Sequence, residues 1–387
     1  VAQLQVLPYE APIKFAGGVR MARLQNSGRA KDFMTHLHAF RGIAIILIVG
    51  AHAPTMVFWG LGVQGEPNPD LTLIALNETL MHNSTIFFAF ISGLLFATVL
   101  FTRGWKNFFK SKFLNVMLPY CLFSLLFTMF HWDIVEGFSI FSGSWAGYLE
   151  EVGDNILSGQ ASFQLWYIPV LTILFAVTPL MAWLMQREWA HFLMAALLVV
   201  PIFVSRTFPD NSVANVFVFL APYTFGIWLG FSYEQRIKFV ERLQLPLAAI
   251  TIVASVATFY LYVSEYGPMS VAGIEPDGAV NWYESASYVQ KMGLLCLVLL
   301  WLRSREGWLP GWLNQLASHA FAIYFMHVFL LLTWLAAANS WLTEPPSVPV
   351  QILVAAAIWI AVLGACVAIS TLVQRLLGRR SRMLIGS

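Results

Sequence analysis

Runs of about 20 predominantly apolar residues recur along nearly the whole chain, and that repetition leaves few folds open. A run of that length spans the roughly 30 Å hydrocarbon core of a bilayer as an α-helix. In lipid, every backbone polar group must find its partner inside the element, which helices achieve. The pattern predicts an all-α, polytopic membrane helix bundle of about ten transmembrane helices. They fall at residues 39–60, 78–101, 112–131, 163–186, 189–206, 213–233, 245–264, 282–302, 314–337 and 349–375. Composition agrees: 11% of the 387 residues are charged and mean hydropathy is +0.70, against roughly 25% charged in a soluble domain. Soluble enzyme, disordered chain, coiled coil and collagen are excluded on those numbers. A net charge of +2 leaves no electrostatic footprint for nucleic acid. Cys121, Cys296 and Cys366 stand singly inside apolar runs. They make neither a disulfide framework nor a metal-ligand spacing, so no metal is expected.

The charged loops set an orientation. Arg103, Lys106, Lys110 and Lys112 follow the second run, Arg236, Lys238 and Arg242 the sixth, Arg303 and Arg305 the eighth, and Arg375, Arg379, Arg380 and Arg382 the tenth. The positive-inside rule puts these loops and both termini in the cytoplasm. The opposite loops carry Asp133, Glu136, Glu150, Glu151, Asp154, Glu275 and Asp277. Residues 1–33 contain no apolar region with a cleavage site. They read as a cytoplasmic tail or as a stretch ahead of the native start, with Met21 and Met34 as candidate starts. Residues 34–387 read as one membrane domain. Segment 132–162 is expected to form a cap or a re-entrant stretch, and 265–281 a second lid.

An ionisable residue within a span is a functional-site hypothesis by default. Arg41 and His52 lie eleven residues apart in the first run. On a helix that is about three turns, so both share one face with about 16 Å between them along the axis. A fixed cation then marks the cytoplasmic surface and a titratable imidazole the membrane interior. His82, near the outer end of the second run, can approach His52 by depth. His327 lies about halfway along the ninth run. Glu78 and Glu284 sit at outer span ends, and Lys291, the only lysine well inside a span, is placed either to pair with Glu284 or to point into a cavity. The structural alternatives are a snorkelling anchor for Arg41 and interhelix hydrogen bonds for the histidines. With no deep carboxylate, an ion-coupled transporter is disfavoured.

The stretch His38 to His52, with Arg41 and His52 separated by ten residues, resembles the first helix of the acyltransferase family 3 membrane proteins. Four further phrases match in order. Phe87-Phe88-Ala89-Phe90-Ile91-Ser92-Gly93 resembles the family's FFxxSG. Leu165-Trp166-Tyr167-Ile168-Pro169 with Thr178-Pro179-Leu180 resembles LWFLP…P. Pro222 to Gly226 resembles PxxxG, and Ser318 to His327 resembles S…IYxxH. The resemblance covers about residues 35–375. His38 stands where the family often has Asp, and Lys112-Phe113-Leu114-Asn115, with Lys110 upstream, stands where it often has Arg-x-x-Arg.

The resemblance implies a stand-alone polysaccharide O-acetyltransferase-like enzyme of the bacterial inner membrane. It implies transfer of an acetyl or other short acyl group from cytoplasmic acyl-CoA to a hydroxyl of a saccharide, a cell-surface polysaccharide or its lipid-linked precursor. In that reading Arg41, Lys110 and Lys112 hold the acetyl-CoA phosphates and His52 is the base. Ser92, Tyr324, His327 and His82 are supporting or oxyanion candidates, and Trp166 and Tyr167 acceptor contacts. The competing class is a transporter or flippase of a lipid-linked saccharide, which needs no acyl-CoA.

Overall fold

The structure, a computed structural model, describes residues 27–60, 62–63, 66–67, 70–133, 137–140, 143–206, 212–266, 280–341 and 346–387. Residues 1–26 and most of the expected lid at 265–281 lie outside the described residues. Helix α1 (Ser27–Gly60) is continuous over 34 residues. A minimal hairpin, β1 (Gly62–Val63) with β2 (Glu66–Pro67), leads to α2 (Leu71–Met81) and α3 (Thr85–Leu95). Next come α4 (Trp105–Lys112) and α5 (Leu118–Met129), joined through a π-turn at Phe113–Met117. Strands β3 (Phe130–Asp133) and β4 (Gly137–Ile140) pair antiparallel. Helices α6 (Trp145–Ser158), α7 (Tyr167–Leu184), α8 (Ala190–Phe203), α9 (Val213–Phe231), α10 (Tyr233–Arg242) and α11 (Gln244–Leu261) follow. The chain closes with α12 (Trp282–Ser304), α13 (Gly311–Ser318), α14 (Ala320–Trp341), α15 (Val348–Leu377) and α16 (Ser381–Ile385).

Among the described residues, nine helical segments are long and apolar enough to cross a membrane. The expected span 189–206 is the exception. It forms α8, of 14 residues, which reach about 21 Å, short of the hydrocarbon core. Its last residues hold Pro201, and the backbone turns extended at Val204. The expected span 78–101 starts earlier, at Leu71, and is broken in the middle. Asn83 adopts a left-handed conformation with φ 62°, which Asn tolerates better than most residues. Asp70 caps the first piece, its carboxylate accepting from Leu73 N at 2.9 Å. Within segment 132–162 the described residues form the end of β3, then β4 and α6, and α6 runs back along α5. The Tyr120 hydroxyl donates to Ile156 O at 2.8 Å, the Tyr148 hydroxyl to Leu125 O at 2.8 Å, and Asn155 Nδ2 to Thr128 Oγ1 at 2.9 Å.

Helices pack without a hydrophobic drive in lipid, so small residues set how close they come. The tightest crossing is α3 on α9. A Cβ on Gly93 would lie 2.0 Å from Tyr223 O, and one on Gly226 2.1 Å from Phe90 O. The glycines of two of the sequence phrases thus face each other's backbones. Polar bonds join matching ends of the bundle. Near the start of α1, His36 bonds Glu306 at 2.6 Å and the Tyr233 hydroxyl at 2.8 Å, and His38 Nε2 donates to Asn314 O at 3.2 Å. At its far end, Gly60 O accepts from Asn339 Nδ2 at 2.9 Å. Outward faces such as Ile252, Val253 and Val256 of α11 are exposed and apolar, as a lipid-facing surface requires.

Candidate active site

Helix α1 carries the centre of the site. Pro54 lies inside it, so the bond that residue 54 would donate to the Gly50 carbonyl is missing. Asn77 of α2 supplies the donor: its Nδ2 reaches Gly50 O at 3.0 Å, Ala51 O at 3.2 Å and Thr55 Oγ1 at 2.8 Å. The turn that bears His52 is thereby clamped from the side. The His52 ring stacks on Phe163 with centroids 5.1 Å apart and meets the His327 ring edge-on at 5.2 Å. His52 Nδ1 is buried without a hydrogen-bond partner.

His327 of α14 is fully buried. Its Nδ1 lies 2.9 Å from Tyr324 O and 3.0 Å from Ile323 O. Carbonyls only accept, so Nδ1 carries the hydrogen and Nε2 keeps its lone pair. That Nε2 is buried and has no partner. Two imidazoles therefore stand against each other, one with a tautomer set by backbone carbonyls, and both with an unused ring nitrogen.

His82 sits in the break between α2 and α3, within electrostatic reach of His52. Its Nδ1 is 2.9 Å from Glu78 Oε2 and its Nε2 is 3.1 Å from Arg206 Nη2. A guanidinium cannot accept, so Nε2 is the acceptor and Nδ1–H faces the carboxylate. Arg206 also grips Glu284 bidentately, Nε to Oε2 at 2.8 Å and Nη2 to Oε1 at 2.7 Å. Lys291, fully buried, does not pair with Glu284. It caps the carbonyl end of α2, donating to Thr79 O at 3.0 Å and Leu80 O at 3.1 Å, and to Gln290 Oε1 at 2.8 Å. The sequence marked Glu78 singly and offered Glu284 as a partner for Lys291, which instead bonds the end of α2. Arg206 went unmarked, because a cation at a span end gives no signal of a partner 78 residues away.

The basic end of the site holds Arg41 and Lys112. Arg41 lies 5.9 Å from the Phe321 ring, and Lys112 Nζ lies 4.5 Å from the Phe175 ring. The two cations are within electrostatic reach of each other. Among the described residues, neither makes an ion pair, whereas Arg206 and Arg303 each face carboxylates. Lys110 is exposed on α4 and has no contact with Arg41.

The remaining candidates are distributed around this line. Ser92 is buried on α3, and no hydrogen bond joins its hydroxyl to either imidazole. Tyr324 lies 6.3 Å ring to ring from His327 and donates its hydroxyl proton to Gln164 O. Trp166 lies under Arg206 at 5.8 Å and against Phe219 at 5.5 Å. The Tyr167 ring packs on Phe219 at 5.1 Å, and its hydroxyl is buried without a partner. Gln164 was not anticipated. It is 2% exposed, and its Nε2 lacks an acceptor. Among the described residues, no three His, Cys, Asp or Glu side chains gather as a metal site, and the three cysteines are free thiols.

Such an arrangement suits proton abstraction at one position and anion binding three helical turns away. A family model described as an acyltransferase domain matches residues 35–374. Neither the curated proteins nor the solved structures yield a match.

Proposed function

The chain belongs to the Acyl_transf_3 family of acyltransferase domains and is a membrane acyltransferase, and on that premise we propose a specific reaction for it. The enzyme takes a short acyl group, acetyl first, from acyl-CoA on the cytoplasmic side. It transfers that group to a hydroxyl of a saccharide, on a cell-surface polysaccharide or its lipid-linked precursor. A bacterial inner membrane with both termini cytoplasmic fits the basic residues that follow the even-numbered sequence runs, and it requires the short α8 to cross as a tenth span, ending beside Arg206 at the His82–Glu284 cluster.

One observation carries the reading: Arg41 of α1 and Lys112 at the end of α4 lie within electrostatic reach of each other and, among the described residues, face no carboxylate, and His52 follows Arg41 by eleven residues on the unbroken α1. Unpaired cations of this kind call for an anion from outside the chain, and the phosphates of coenzyme A supply one. The thioester arm then extends along α1 towards His52. His52 accepts the proton of the acceptor hydroxyl as its oxygen attacks the thioester carbon. The C–S bond breaks, and the departing thiolate takes that proton. A histidine base contributes about 10²–10⁴-fold. The fixed tautomer of His327 supports a second accepting role for it and argues against oxyanion donation. The Tyr324 hydroxyl, already donating to Gln164 O, is likewise engaged elsewhere. Trp166 and Tyr167, beside Arg206 and Phe219, remain the proposed acceptor contacts.

The test is a titration of the detergent-solubilised protein with acetyl-CoA, wild type against Arg41→Ala. Saturable binding weakened in the variant is the expected result. A folded wild type that binds no acetyl-CoA refutes the donor and favours a saccharide transporter. His52→Ala is expected to stay folded and to lose transfer. Retained turnover removes His52 from the chemistry.

A further inference from the structure

Acyl transfer drives the carbonyl π electrons onto oxygen when the tetrahedral intermediate forms, and that oxyanion needs hydrogen-bond donors held ready in a dry site. Two of the donors around the imidazole pair are already engaged. The Tyr324 hydroxyl donates to Gln164 O, and His327 Nδ1–H to two backbone carbonyls. Ser92 makes no hydrogen bond to either ring. Among the described residues, the buried donors that remain unspent include the Tyr167 hydroxyl and the side-chain amide of Gln164, and of these Gln164 directly follows Phe163, whose ring stacks on His52.

Gln164 is held on several sides. Its carbonyl accepts from Tyr324, its Oε1 accepts from the Ser162 hydroxyl at 2.6 Å, and the preceding Phe163 ring lies on His52. The turn that carries it is tight. Gly159 has φ +82°, and a Cβ there would lie 2.6 Å from Trp166 Cα. Leu165 N closes on Ser162 O at 2.8 Å. Gln164 Oε1 is engaged through one of its two lone pairs, and its Nε2 is buried without an acceptor, so the N–H groups are the donors left to offer. A buried donor left unmet costs about 1–3 kcal/mol, and its survival in a packed interior calls for a use.

We propose that the Gln164 side-chain amide donates to the carbonyl oxygen of the acyl group under attack, and is thereby a catalytic residue of the transfer. The assignment rests on the acyl-CoA reading above. The amide forms no covalent bond. It stabilises charge that appears on oxygen as the C–O bond forms and disappears as the C–S bond breaks.

The experiment needs no acceptor. Acetyl-CoA labelled with ¹³C at the thioester carbonyl is bound to the solubilised protein, and the labelled carbonyl stretch is read by difference infrared spectroscopy. Gln164→Met removes both polar atoms at similar length, and Gln164→Glu keeps the acceptor for Ser162 while removing the N–H donors. Either variant that passes a thermal unfolding check suffices. In wild type the bound band is expected below its position in the variants, with affinity for free coenzyme A, which has no acyl carbonyl, unchanged. Once an acceptor is in hand, turnover is expected to fall by about 10²–10³. A bound band at the same frequency in wild type and variant overturns the assignment, because a purely structural Gln164 leaves that band where it is. A folded wild type that binds no acetyl-CoA overturns the donor reading, and the role of Gln164 falls with it.

Discussion

Replacing Arg41 by Gln and Lys112 by Met, singly and together, separates an anion-binding role from a structural one. A hydrogen bond to a charged group contributes about 1.5–3 kcal/mol net, so each substitution is expected to weaken acetyl-CoA binding by about 10–150-fold. The apo protein responds differently. Among the described residues neither cation faces a carboxylate, so removing one strands no buried anion there, and the roughly 3–5 kcal/mol penalty of a broken buried pair does not arise. Loss of the contacts to Phe321 and Phe175 costs about 0.5–2 kcal/mol each. Relief of the repulsion between the two cations offsets part of that. The apo stability of each single variant should therefore fall by no more than about 2 kcal/mol. Thermal unfolding with and without acetyl-CoA reads both quantities. Ligand at 100 times the wild-type Kd stabilises by about 2.7 kcal/mol, falling to about 0.9 kcal/mol after a 30-fold loss of affinity. In the double mutant, a loss smaller than the sum places both cations on one phosphate group, and full additivity on separate ones. An apo Tm that drops steeply while affinity stays at the wild-type value refutes the reasoning and makes both residues structural anchors.

Three further outcomes follow from the packing. Gly93→Ala puts a methyl 2.0 Å from Tyr223 O and should destabilise by about 1–3 kcal/mol or more, seen as a lower Tm. Gly364→Ala, with nothing within 4 Å, is the control that should not move. Arg206→Ala strips Glu284 of its bidentate partner and His82 of its donor, with an expected cost of about 3–5 kcal/mol; an unchanged Tm would show the cluster to be solvated. Lys291→Met leaves the Leu80 carbonyl and Gln290 Oε1 without their donor, while Thr79 O keeps Gln290 Nε2, and should cost about 1–3 kcal/mol. Hydrogen exchange should rise at the end of α2, and protection unaltered there would refute the capping role.

Hydropathy made the spans legible because lipid sorts whole helices by their average polarity, and the Arg41–His52 line followed from helix geometry alone. What hydropathy averages over, it hides. The break at Asn83 sits inside an apolar run and leaves the mean unchanged. Helix α8 is apolar enough for a span but has only 14 residues, a length that depends on where the backbone turns at Val204. Pro54 was a local signal that a carbonyl of α1 needed an outside donor, but nothing in the sequence assigns that task to Asn77. The Glu78–His82–Arg206–Glu284 chain and the burial of Gln164 are products of tertiary packing. A glutamine in a polar turn reads as solvated until the helices close around it.

Helix α1 runs without a break between Arg41 and His52, which fixes their separation at about 16 Å along the axis. A rod of set length works as a gauge on the proposed donor. A molecule that is to touch both ends must hold its anionic group and its reactive carbonyl that far apart. Acetyl phosphate, with its anion two bonds from the carbonyl carbon, is too short to engage both at once. Acyl-pantetheine has the reach but lacks the anion. Selection among activated acyl compounds then needs no specific contact with the acyl group, because the spacing alone does the sorting.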